Sequence, residues 1–506
     1  MATREDAARP WPLGIWALVA LVFVVLATLN SAGYRFGTGD QAFYLPAIHR
    51  HLDPDAFPRD RLVIDDQDRL NVFPRVAAAL VRQAGLPQPA LFFGLYVLAL
   101  LLLCWAARAL AAHLGLSPWA QLAVVAALAM KHRVGMTGAN TLEGYGHPRM
   151  LGFAVGLAAV VAVLRARPGA ALMLVAAAFV VHPTTALWCG VWAGVALMAS
   201  DGRLRPWLLA VAGGAALAAA WAIGWGPLRA QLVRMDEAWL GVLAGKDYLF
   251  ATGWQLDAWA TAALYALVPA AAFAWRRRTG MAHPREGAMI LGLAALVAIF
   301  LVTLPLVAAR IALAVQFQVS RVFWMLDLAA TVYAVWILAD AGRRAPRAAT
   351  RNRRAAAVAC VLIGLAAGRG AWVMWVEHPG RPVVQATLPQ DSWQDAMNWL
   401  RRQPVSAHVL ADPAHAWRHA TSVRVAAGRD VYLEEVKDTA MAMYSRRVAM
   451  RVAERIGALG DFNGLTPASA RALAGRFGLD VLVTEHALDL PLAYRNARFS
   501  IYRLRP

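Results

Sequence analysis

The sequence is poor in charge and in cysteine for a chain of its length. Charged residues make up 16% of the 506 positions and hydrophobic residues 59%, with a mean hydropathy of +0.47. This composition excludes an ordinary soluble protein of this size. All three cysteines lie within apolar stretches, so no disulfide is expected in the polar segments between them. They are Cys104, Cys189 and Cys360.

Several common motifs are also missing from the sequence. It has no Walker phosphate-binding loop, no glycine-rich dinucleotide fingerprint and no serine nucleophile elbow. It has no Asn-x-Ser/Thr glycosylation sequon and no internal repeat. The absence of sequons and of cysteines outside the apolar stretches suits a protein of a bacterial inner membrane.

What the sequence does contain is a series of about eleven long apolar runs. Runs of about 17–25 apolar residues are typical of membrane-spanning helices, so a mainly α, polytopic membrane protein is predicted. The first run lacks a small-residue cleavage site and is therefore predicted to remain in the protein. The pair of runs that flank His182 is short, which leaves broken or re-entrant helices open. The runs cover residues 12–30, 91–112, 114–130, 149–164, 169–182, 184–199, 207–225, 257–275, 287–308, 322–341 and 355–376.

The distribution of basic residues predicts the orientation of the chain. The formal net charge is +19, and most basic residues fall in alternate connections, as the positive-inside rule describes. This pattern places the N-terminus in the cytoplasm and the tail after Trp375 outside, and it requires no nucleic-acid partner. Lys131 is an exception on the outer side. The basic connections contain Arg108, Arg165, Arg167, Arg203, Arg205, Arg276–Arg278 and the linker 342–354.

Composition also divides the chain into two predicted domains. Residues 1–376 form the membrane domain, whose first outer loop, 31–90, contains two amphipathic stretches predicted to be interfacial helices. Residues 377–506 form a small exported domain in which short strands alternate with helices, as in an α/β fold. The predicted strands are "AHVLAD", "DVYLEE", "DVLVTEH" and "RFSIYRLRP", and "DSWQDAMNWLRRQ" is predicted to be a helix.

The first candidate for chemistry is Asp40, in "GTGDQAFY" at the end of the first apolar run. Gly37 and Gly39 allow a tight turn there, and Asp40 is then predicted to cap the interfacial helix, to work as a proton acceptor, or to do both. In the second role, partial desolvation at the membrane edge is expected to raise its pKa. Tyr44, in the same stretch, is a candidate for binding substrate.

The second candidate is "NTLEGYGHPRM", which joins two predicted spans on the outer side. Glu143, His147 and Arg149 bring an acid, an imidazole and a guanidinium to one short segment. The four-residue spacing of Glu143 and His147 also occurs in metal sites, but the two glycines between them disfavour a helix, so the metal signal is weak. The alternatives are a solvated loop and part of a site.

Other polar residues fall at the outer ends of predicted spans. His182 precedes Pro183 and is either structural or a donor to an anionic ligand. Arg310 and Arg321 flank "IALAVQFQVS" and either anchor helices at the interface or capture an anion. Lys131, which breaks the charge rule on the same side, favours a bound anionic headgroup.

Taken together, these features resemble the polytopic glycosyltransferases of the GT-C fold. The resemblance is carried by the Asp after the first helix, followed by "YLPAIHRHLDPDAFPRD", by the acidic residue in "LEGYGHPR" and by the outer arginines. The tail is similar to the small exported domain of many bacterial members. The chain departs from the best-known members because Gly39 and Gln41, and no second acid, flank Asp40. The use of a divalent metal stays open, and the sequence requires none.

The resemblance implies a function on the outer face of the membrane. A polyprenyl-phosphate-linked sugar would be the donor, and a hydroxyl of a glycan, lipid or protein would be the acceptor. Asp40, with Glu143 as the second catalytic candidate, would accept the proton as the anomeric configuration inverts. A transporter or flippase, or a ligase or polymerase of lipid-linked glycans, is the alternative. His147 is expected to bind substrate, and the residues expected to bind the phosphate are Arg149, Arg310, Arg321, His182 and Lys131.

Overall fold

A computed structural model describes residues 11–341 and 348–505. Residues 342–347 of the predicted basic linker lie outside this description, and the linker's remaining residues, 348–354, belong to a helix.

The membrane domain is a bundle of helices, and each of the predicted apolar runs corresponds to one of them. The helices are α1 (Leu13–Asn30), α2 (Gln41–Leu52), α3 (Arg61–Asp68), α4 (Phe73–Ala84), α5 (Gln88–His113), α6 (Pro118–Ala129), α7 (Pro148–Leu164), α8 (Pro168–Val181), α9 (Pro183–Ser200), α10 (Arg205–Gly224), α11 (Glu237–Leu243), α12 (Leu256–Arg278), α13 (Glu286–Ala308), α14 (Ala312–Gln316), α15 (Val322–Ala339) and α16 (Ala348–Trp372).

Several of these helices are suited to cross a membrane. Within the described ranges, seven segments are long and apolar enough by length and composition, and α6, α7 and α8 are shorter apolar helices. The seven are α1, α5, α10, α12, α13, Ala312–Ala339 and Asn352–Glu377. The mainly α, membrane-embedded architecture predicted from the sequence is confirmed.

The centre of the bundle is formed by α7, which packs against α5, α8 and α9. Glycines allow close approach of the helices: a Cβ at Gly156 of α7 would lie 2.5 Å from the sulfur of Cys189, and one at Gly292 of α13 would lie 2.5 Å from the carbonyl oxygen of Trp192. Such contacts between small and large residues are how membrane helices pack when hydrophobicity alone does not drive association.

The short runs around His182 form a helical hairpin, since α8 and α9 pack side by side. Pro183 begins α9, and the His182 side chain accepts a hydrogen bond from the backbone N–H of Thr185. The imidazole therefore caps α9 at a turn where the backbone would otherwise lose partners.

The loop 31–90, predicted to lie on the outer side, folds into three helices. The two predicted amphipathic stretches form α2 and α4, and an additional helix, α3, lies between them. Both α3 and α4 pack on α2. The loop begins with a short strand, β1 (Tyr34–Arg35), which has a parallel partner in the tail.

The tail contains the predicted small α/β domain. Its helices are α17 (Ser392–Arg401), α18 (His415–Arg418), α19 (Val423–Ala426), α20 (Glu435–Ala442), α21 (Arg446–Leu459) and α22 (Pro467–Phe477). The chain's remaining strands are β2 (Arg133–Val134), β3 (Ala139–Asn140), β4 (Val384–Gln385), β5 (His408–Leu410), β6 (Asp430–Val431), β7 (Val481–Thr484), β8 (Leu492–Arg495) and β9 (Ser500–Arg503).

The tail's main sheet has five strands in the order β6-β5-β7-β9-β8. Strands β6, β5 and β7 are parallel, with Val409 opposite both Val431 and Val481, whereas β9 runs antiparallel to β7 and β8. All four predicted strands and the predicted helix are present, and Asp391 caps α17 by accepting from the N–H of Gln394.

The tail domain docks on the first outer loop through buried charges. Asp60, at the start of α3, is 0% exposed and accepts a 2.8 Å hydrogen bond from Arg424 of α19. Asp430 of β6 accepts from the backbone N–H groups of Arg59 and Asp60. The indole N–H of Trp239 in α11 donates to the carbonyl of Ala442, 2.7 Å away. These contacts hold α20 above the end of the helix bundle.

Candidate active site

Asp40 stands at the start of α2, where the chain makes a turn that requires glycine. Gly39 has φ +57°, and a Cβ there would lie 2.4 Å from the ring of Tyr145. The Asp40 carboxylate makes no hydrogen bond to the helix that follows it. The interpretation of its side chain as a helix cap is therefore wrong, and the carboxylate faces other partners.

Those partners come from two distant parts of the chain. One Asp40 carboxylate oxygen lies 3.0 Å from Nε2 of His147 and 3.7 Å from the Arg149 guanidinium. The other lies 2.7 Å from Nζ of Lys437, in α20 of the tail domain. The side chain of Asp40 remains 27% exposed. A carboxylate with three cationic or N–H partners is thus still accessible to a ligand.

The hydrogen bonds of His147 define its tautomer. Its Nδ1 accepts a hydrogen bond from the backbone N–H of Arg149 at 3.0 Å, which caps α7. A neutral imidazole that accepts at Nδ1 carries its proton at Nε2, so Nε2–H donates to Asp40. Burial and the nearby Arg149 lower the pKa of His147 to about 4 against the opposing effect of Asp40. His147 is accordingly a neutral donor near pH 7.

Arg149 is held by a second carboxylate. Its guanidinium lies 3.1 Å from Glu143, which also accepts from the side-chain amide of Asn140 at 3.1 Å. Both Glu143 and Arg149 are 5% exposed. Burial raises the pKa of Glu143, although Arg149 opposes that shift. Glu143 therefore orients Arg149 beside Asp40.

The electrostatics of Asp40 differ from the prediction. Burial alone would raise the pKa of Asp40, as predicted from the sequence. Lys437, His147 and Arg149 outweigh that effect and hold the pKa well below its ordinary value. The expectation of a raised pKa is wrong because two cations and an N–H donor converge on one carboxylate. Asp40 is ionised near neutral pH.

Asp40 lies on the wall of a cavity of about 200 Å³, the first cavity. Arg321 also lines this cavity. Its guanidinium makes no ion pair within 4 Å with any carboxylate of the described residues, and its buried Nε has no hydrogen-bond partner among them. The first cavity thus contains an unneutralised cation opposite the carboxylate. Its polar lining consists of Asp40, Tyr44, Gln67, Asn71, His147, Arg149, His182, Thr184, Lys246, Tyr248, Gln318, Arg321, Lys437 and Tyr444.

A larger cavity of about 680 Å³, the second cavity, adjoins the first. Asp40 and Lys437 line both cavities, so this pair stands on the wall between them. Lys131 and Glu143, both candidates from the sequence, line the second cavity and not the first.

Arg310 is the candidate that the structure does not bring to either cavity. It is exposed, has φ +59°, and its carbonyl accepts from the N–H of Met235. Arg310 and Arg321 lie at opposite ends of the segment that contains α14, and only Arg321 enters the first cavity. The structure therefore does not bring Arg310 together with the other candidates, since it lines neither cavity.

Several lining residues escape prediction from the sequence. Lys437 and Tyr444 belong to the tail domain, and Tyr248 to the loop before α12. No local pattern indicates that α20 covers the end of the bundle at which Asp40 lies. An isolated Lys beside the apolar stretch "TAMAMY" is a weak signal that becomes meaningful only once the docking is known.

The side chains around Asp40 do not suit a divalent metal. Among the described residues, no group of three or more His, Cys, Asp or Glu lies close enough together to hold an ion. Asp40 and Glu143 are already neutralised by Lys437 and Arg149, which would repel a cation.

Several solved structures, among them the following three, have a partly similar course of the chain. The cryo-EM structure of the arabinofuranosyltransferase AftD from Mycobacteria has a TM-score of 0.48 at 14% identity, covering 98% of this chain and 40% of that chain. A mutant of AftD has a TM-score of 0.49 at 15% identity, and the match covers 98% of this chain and 42% of that chain. The apo oligosaccharyltransferase of Archaeoglobus fulgidus gives 0.45 at 13% identity, covering 94% and 69%.

The chain thus spans less than half the length of AftD. No protein-family model and no curated protein sequence matches it.

Proposed function

We propose that the protein is a membrane glycosyltransferase that transfers a sugar from a polyprenyl-phosphate donor to a hydroxyl acceptor. The observation that carries this proposal is the ionised Asp40, on the wall of a cavity at one end of an apolar helix bundle, together with the unpaired Arg321. A carboxylate and a free guanidinium at a cavity beside apolar helices suit an acceptor that loses a proton and a donor that carries a phosphate.

The reaction needs one proton acceptor and one stabilised leaving group. The acceptor oxygen attacks the anomeric carbon while Asp40 takes the hydroxyl proton. The bond between the anomeric carbon and the phosphate oxygen breaks on the opposite face, so the configuration inverts. The electron pair of that bond leaves with the polyprenyl phosphate.

The first cavity is the proposed place for the donor phosphate. Arg321 offers a planar guanidinium without a carboxylate partner, and Arg149 and His182 line the same cavity. Arginine is well suited to phosphate because its N–H groups form a fork of donors. Such donors stabilise the charge that grows on the departing phosphate.

The roles of Glu143 and His147 are best assigned as positioning. Glu143 contacts Arg149 and Asn140, and it does not line the first cavity. His147 donates to Asp40 while its other nitrogen is fixed by the start of α7. Tyr44, beside His147 in the first cavity, contributes to its wall.

We place the protein in a bacterial inner membrane, with the N-terminus in the cytoplasm and both cavities outside. The end of the bundle opposite Asp40 supports this, because it gathers basic residues near Arg165, which bonds to His113. Basic residues concentrate on the cytoplasmic side of membrane proteins.

The position of the charges also weighs against a transporter. The charged side chains of both cavities lie at one end of the bundle, where the tail domain docks, whereas transporters usually bind solutes near the midplane. A ligase or polymerase of lipid-linked glycans would use the same donor cavity and differ in its acceptor.

The decisive experiment is the substitution Asp40→Asn, which keeps the shape of the side chain and removes its basicity. Cells whose only copy is Asp40→Asn should lose about 100-fold or more of the transfer activity. They should therefore accumulate the same polyprenyl-phosphate sugar as cells without the protein. The measurement is a profile of lipid-linked sugars.

The matched control is Asp55→Asn, an exposed carboxylate of the same loop. It should leave the profile at the wild-type level. A wild-type profile with Asp40→Asn, at normal protein abundance, would show that Asp40 is not the proton acceptor.

A further inference from the structure

The second cavity carries more positive charge than its carboxylates neutralise. Five lysine and arginine side chains line it, and four of them make no ion pair with any carboxylate in the part of the chain that the structure describes. Its two acids are already occupied, Asp40 by Lys437 and Glu143 by Arg149. The four unpaired residues are Arg35, Lys131, Arg133 and Arg381.

Arg35 and Arg381 are kept near each other by the backbone. Strand β1 pairs with β4, and the N–H of Tyr34 donates to the carbonyl of Val383 at 2.8 Å. On its other side, the N–H of Arg35 donates to the carbonyl of Gly144 at 2.8 Å. Neither arginine can therefore move far from the other without breaking the link between the first loop and the tail.

This proximity has an electrostatic cost. Burial and the nearby Arg381 lower the pKa of Arg35 to about 10. The buried Nε of Arg35 has no hydrogen-bond partner among the described residues. Like charges held together without a counterion, and a buried donor without an acceptor, are both unfavourable unless a ligand supplies negative charge.

The same cavity has an aromatic wall. Trp417 lines it and is 81% exposed, which is unusual for the largest apolar side chain, and the ring of Tyr145 lines it as well. Exposed aromatic surface beside charged groups is typical of a binding site. A flat aromatic ring can pack against the apolar face of a sugar.

From these contacts we propose that the second cavity binds the acceptor, and that the acceptor is a sugar bearing an anionic group, either a carboxylate or a phosphate. The proposal rests on the proposed glycosyl transfer. Because Asp40 lies on the wall between the cavities, an acceptor hydroxyl reaches it from the second cavity while the donor phosphate occupies the first. The attacking oxygen and the leaving phosphate then lie on opposite sides of the transferred sugar.

The test measures binding of soluble sugars to the full-length protein in detergent, by calorimetry or ligand-observed NMR. Glucose, glucuronate and glucose 6-phosphate share one ring and differ in charge. We expect one or both anionic sugars to bind about tenfold or more tightly than glucose. The glucuronate and phosphate arms distinguish a carboxylate acceptor from a phosphorylated one.

Variants locate the binding. Arg381→Gln should remove most of the preference for the anionic sugar, and Arg381→Lys should keep part of it. Trp417→Ala should weaken the binding of all three sugars. The matched control Arg471→Gln, at an exposed arginine of α22, should change nothing.

Equal affinity for glucose and the anionic sugars would overturn the proposal, and so would an unchanged preference in folded Arg381→Gln. The first cavity gives an independent check, since Arg321→Gln should weaken binding of a polyprenyl-phosphate sugar and leave glucuronate binding unchanged. If Arg381→Gln weakens binding of the polyprenyl-phosphate sugar and Arg321→Gln does not, the second cavity binds the donor and the acceptor assignment is wrong. Sugar binding without any transfer activity would instead refute the proposed function alone.

Discussion

At the scale of single residues, the contact between Asp40 and Lys437 sets the basicity of the candidate site. Lys437 is 8% exposed, and its ammonium also lies 4.9 Å from the centre of the Phe43 ring. It is thus fixed between an aromatic face and a carboxylate. Among the groups that lower the pKa of Asp40, Lys437 has the largest effect, so the tail domain adjusts the chemistry of the first loop.

The first prediction at this scale concerns Lys437→Met. Burial raises the pKa of Asp40 and Lys437 is the main opposing influence, so loss of the ammonium should raise that pKa. A base works only when ionised. The acidic limb of the pH–rate profile should therefore move to higher pH in Lys437→Met, while activity above neutral pH is retained.

Lys437→Arg is the conservative control, since it keeps the positive charge and should leave the acidic limb near its wild-type position. An acidic limb that does not move in Lys437→Met would mean that Asp40 does not limit the rate on the acidic side.

The same residues show what the sequence can predict about a site. Asp40, His147 and Arg149 follow directly from polar motifs at the outer ends of apolar runs, and the structure brings all three together. Lys437 is 397 positions away from Asp40 in the chain, and its neighbours form an ordinary short helix. Its role depends on how the tail docks, and composition and periodicity contain no information about docking.

At the scale of elements, the long helices were predictable because membrane crossing imposes a length and an apolar composition. Short elements on the outer side were harder. Helix α3 has eight residues, and only three of them are buried. Its sequence "RLVIDDQD" is therefore short and largely polar, as in a loop. Arg276 is a further surprise: the charge rule treats it as a cytoplasmic loop residue, yet it is 0% exposed at the end of α12.

Arg276 connects several helices through buried hydrogen bonds. Its Nε lies 2.7 Å from Glu286 of α13, and its Nη2 donates to the carbonyl of Leu114, just after α5, at 2.6 Å. The hydroxyl of Tyr333 in α15 donates to Glu286 at 2.9 Å. One ion pair therefore fixes the mutual positions of four helices.

The prediction for this pair is that Glu286→Ala destabilises the protein strongly. Removal of one partner leaves the other charge buried and uncompensated, which costs about 3–5 kcal/mol. Thermal unfolding in detergent should show a clearly lower Tm. Arg277→Gln, at the exposed neighbour of Arg276, is the control and should leave Tm nearly unchanged.

The double variant Arg276→Met with Glu286→Met should recover much of the lost stability, because no charge then remains buried. Equal destabilisation by Glu286→Ala and Arg277→Gln would contradict the role assigned to the pair.

At the scale of the whole molecule, the two ends of the bundle differ in kind. One end carries both cavities and the tail domain, which is joined to the first loop by the buried contact of Asp60 with Arg424. Burial alone would raise the pKa of Asp60, but Arg424 and Arg451 hold it far below its usual range, so the contact stays ionic. The other end carries short basic connections. The tail domain and both cavities therefore lie on the same side of the membrane, whichever side that is.

The last prediction tests that orientation with cysteines placed at the two ends. Cys360 is exposed and is first replaced by serine, while Cys104 and Cys189 are buried. Ser392→Cys lies at the start of α17 in the tail domain. Gly202→Cys lies between α9 and α10 at the opposite end, where a Cβ would meet nothing within 4 Å. A charged maleimide that does not cross membranes should label Ser392→Cys in intact spheroplasts and Gly202→Cys only after permeabilisation. The reverse pattern would put both cavities in the cytoplasm, where the arginine distribution does not place them, and the donor would then have to be presented on the inner leaflet.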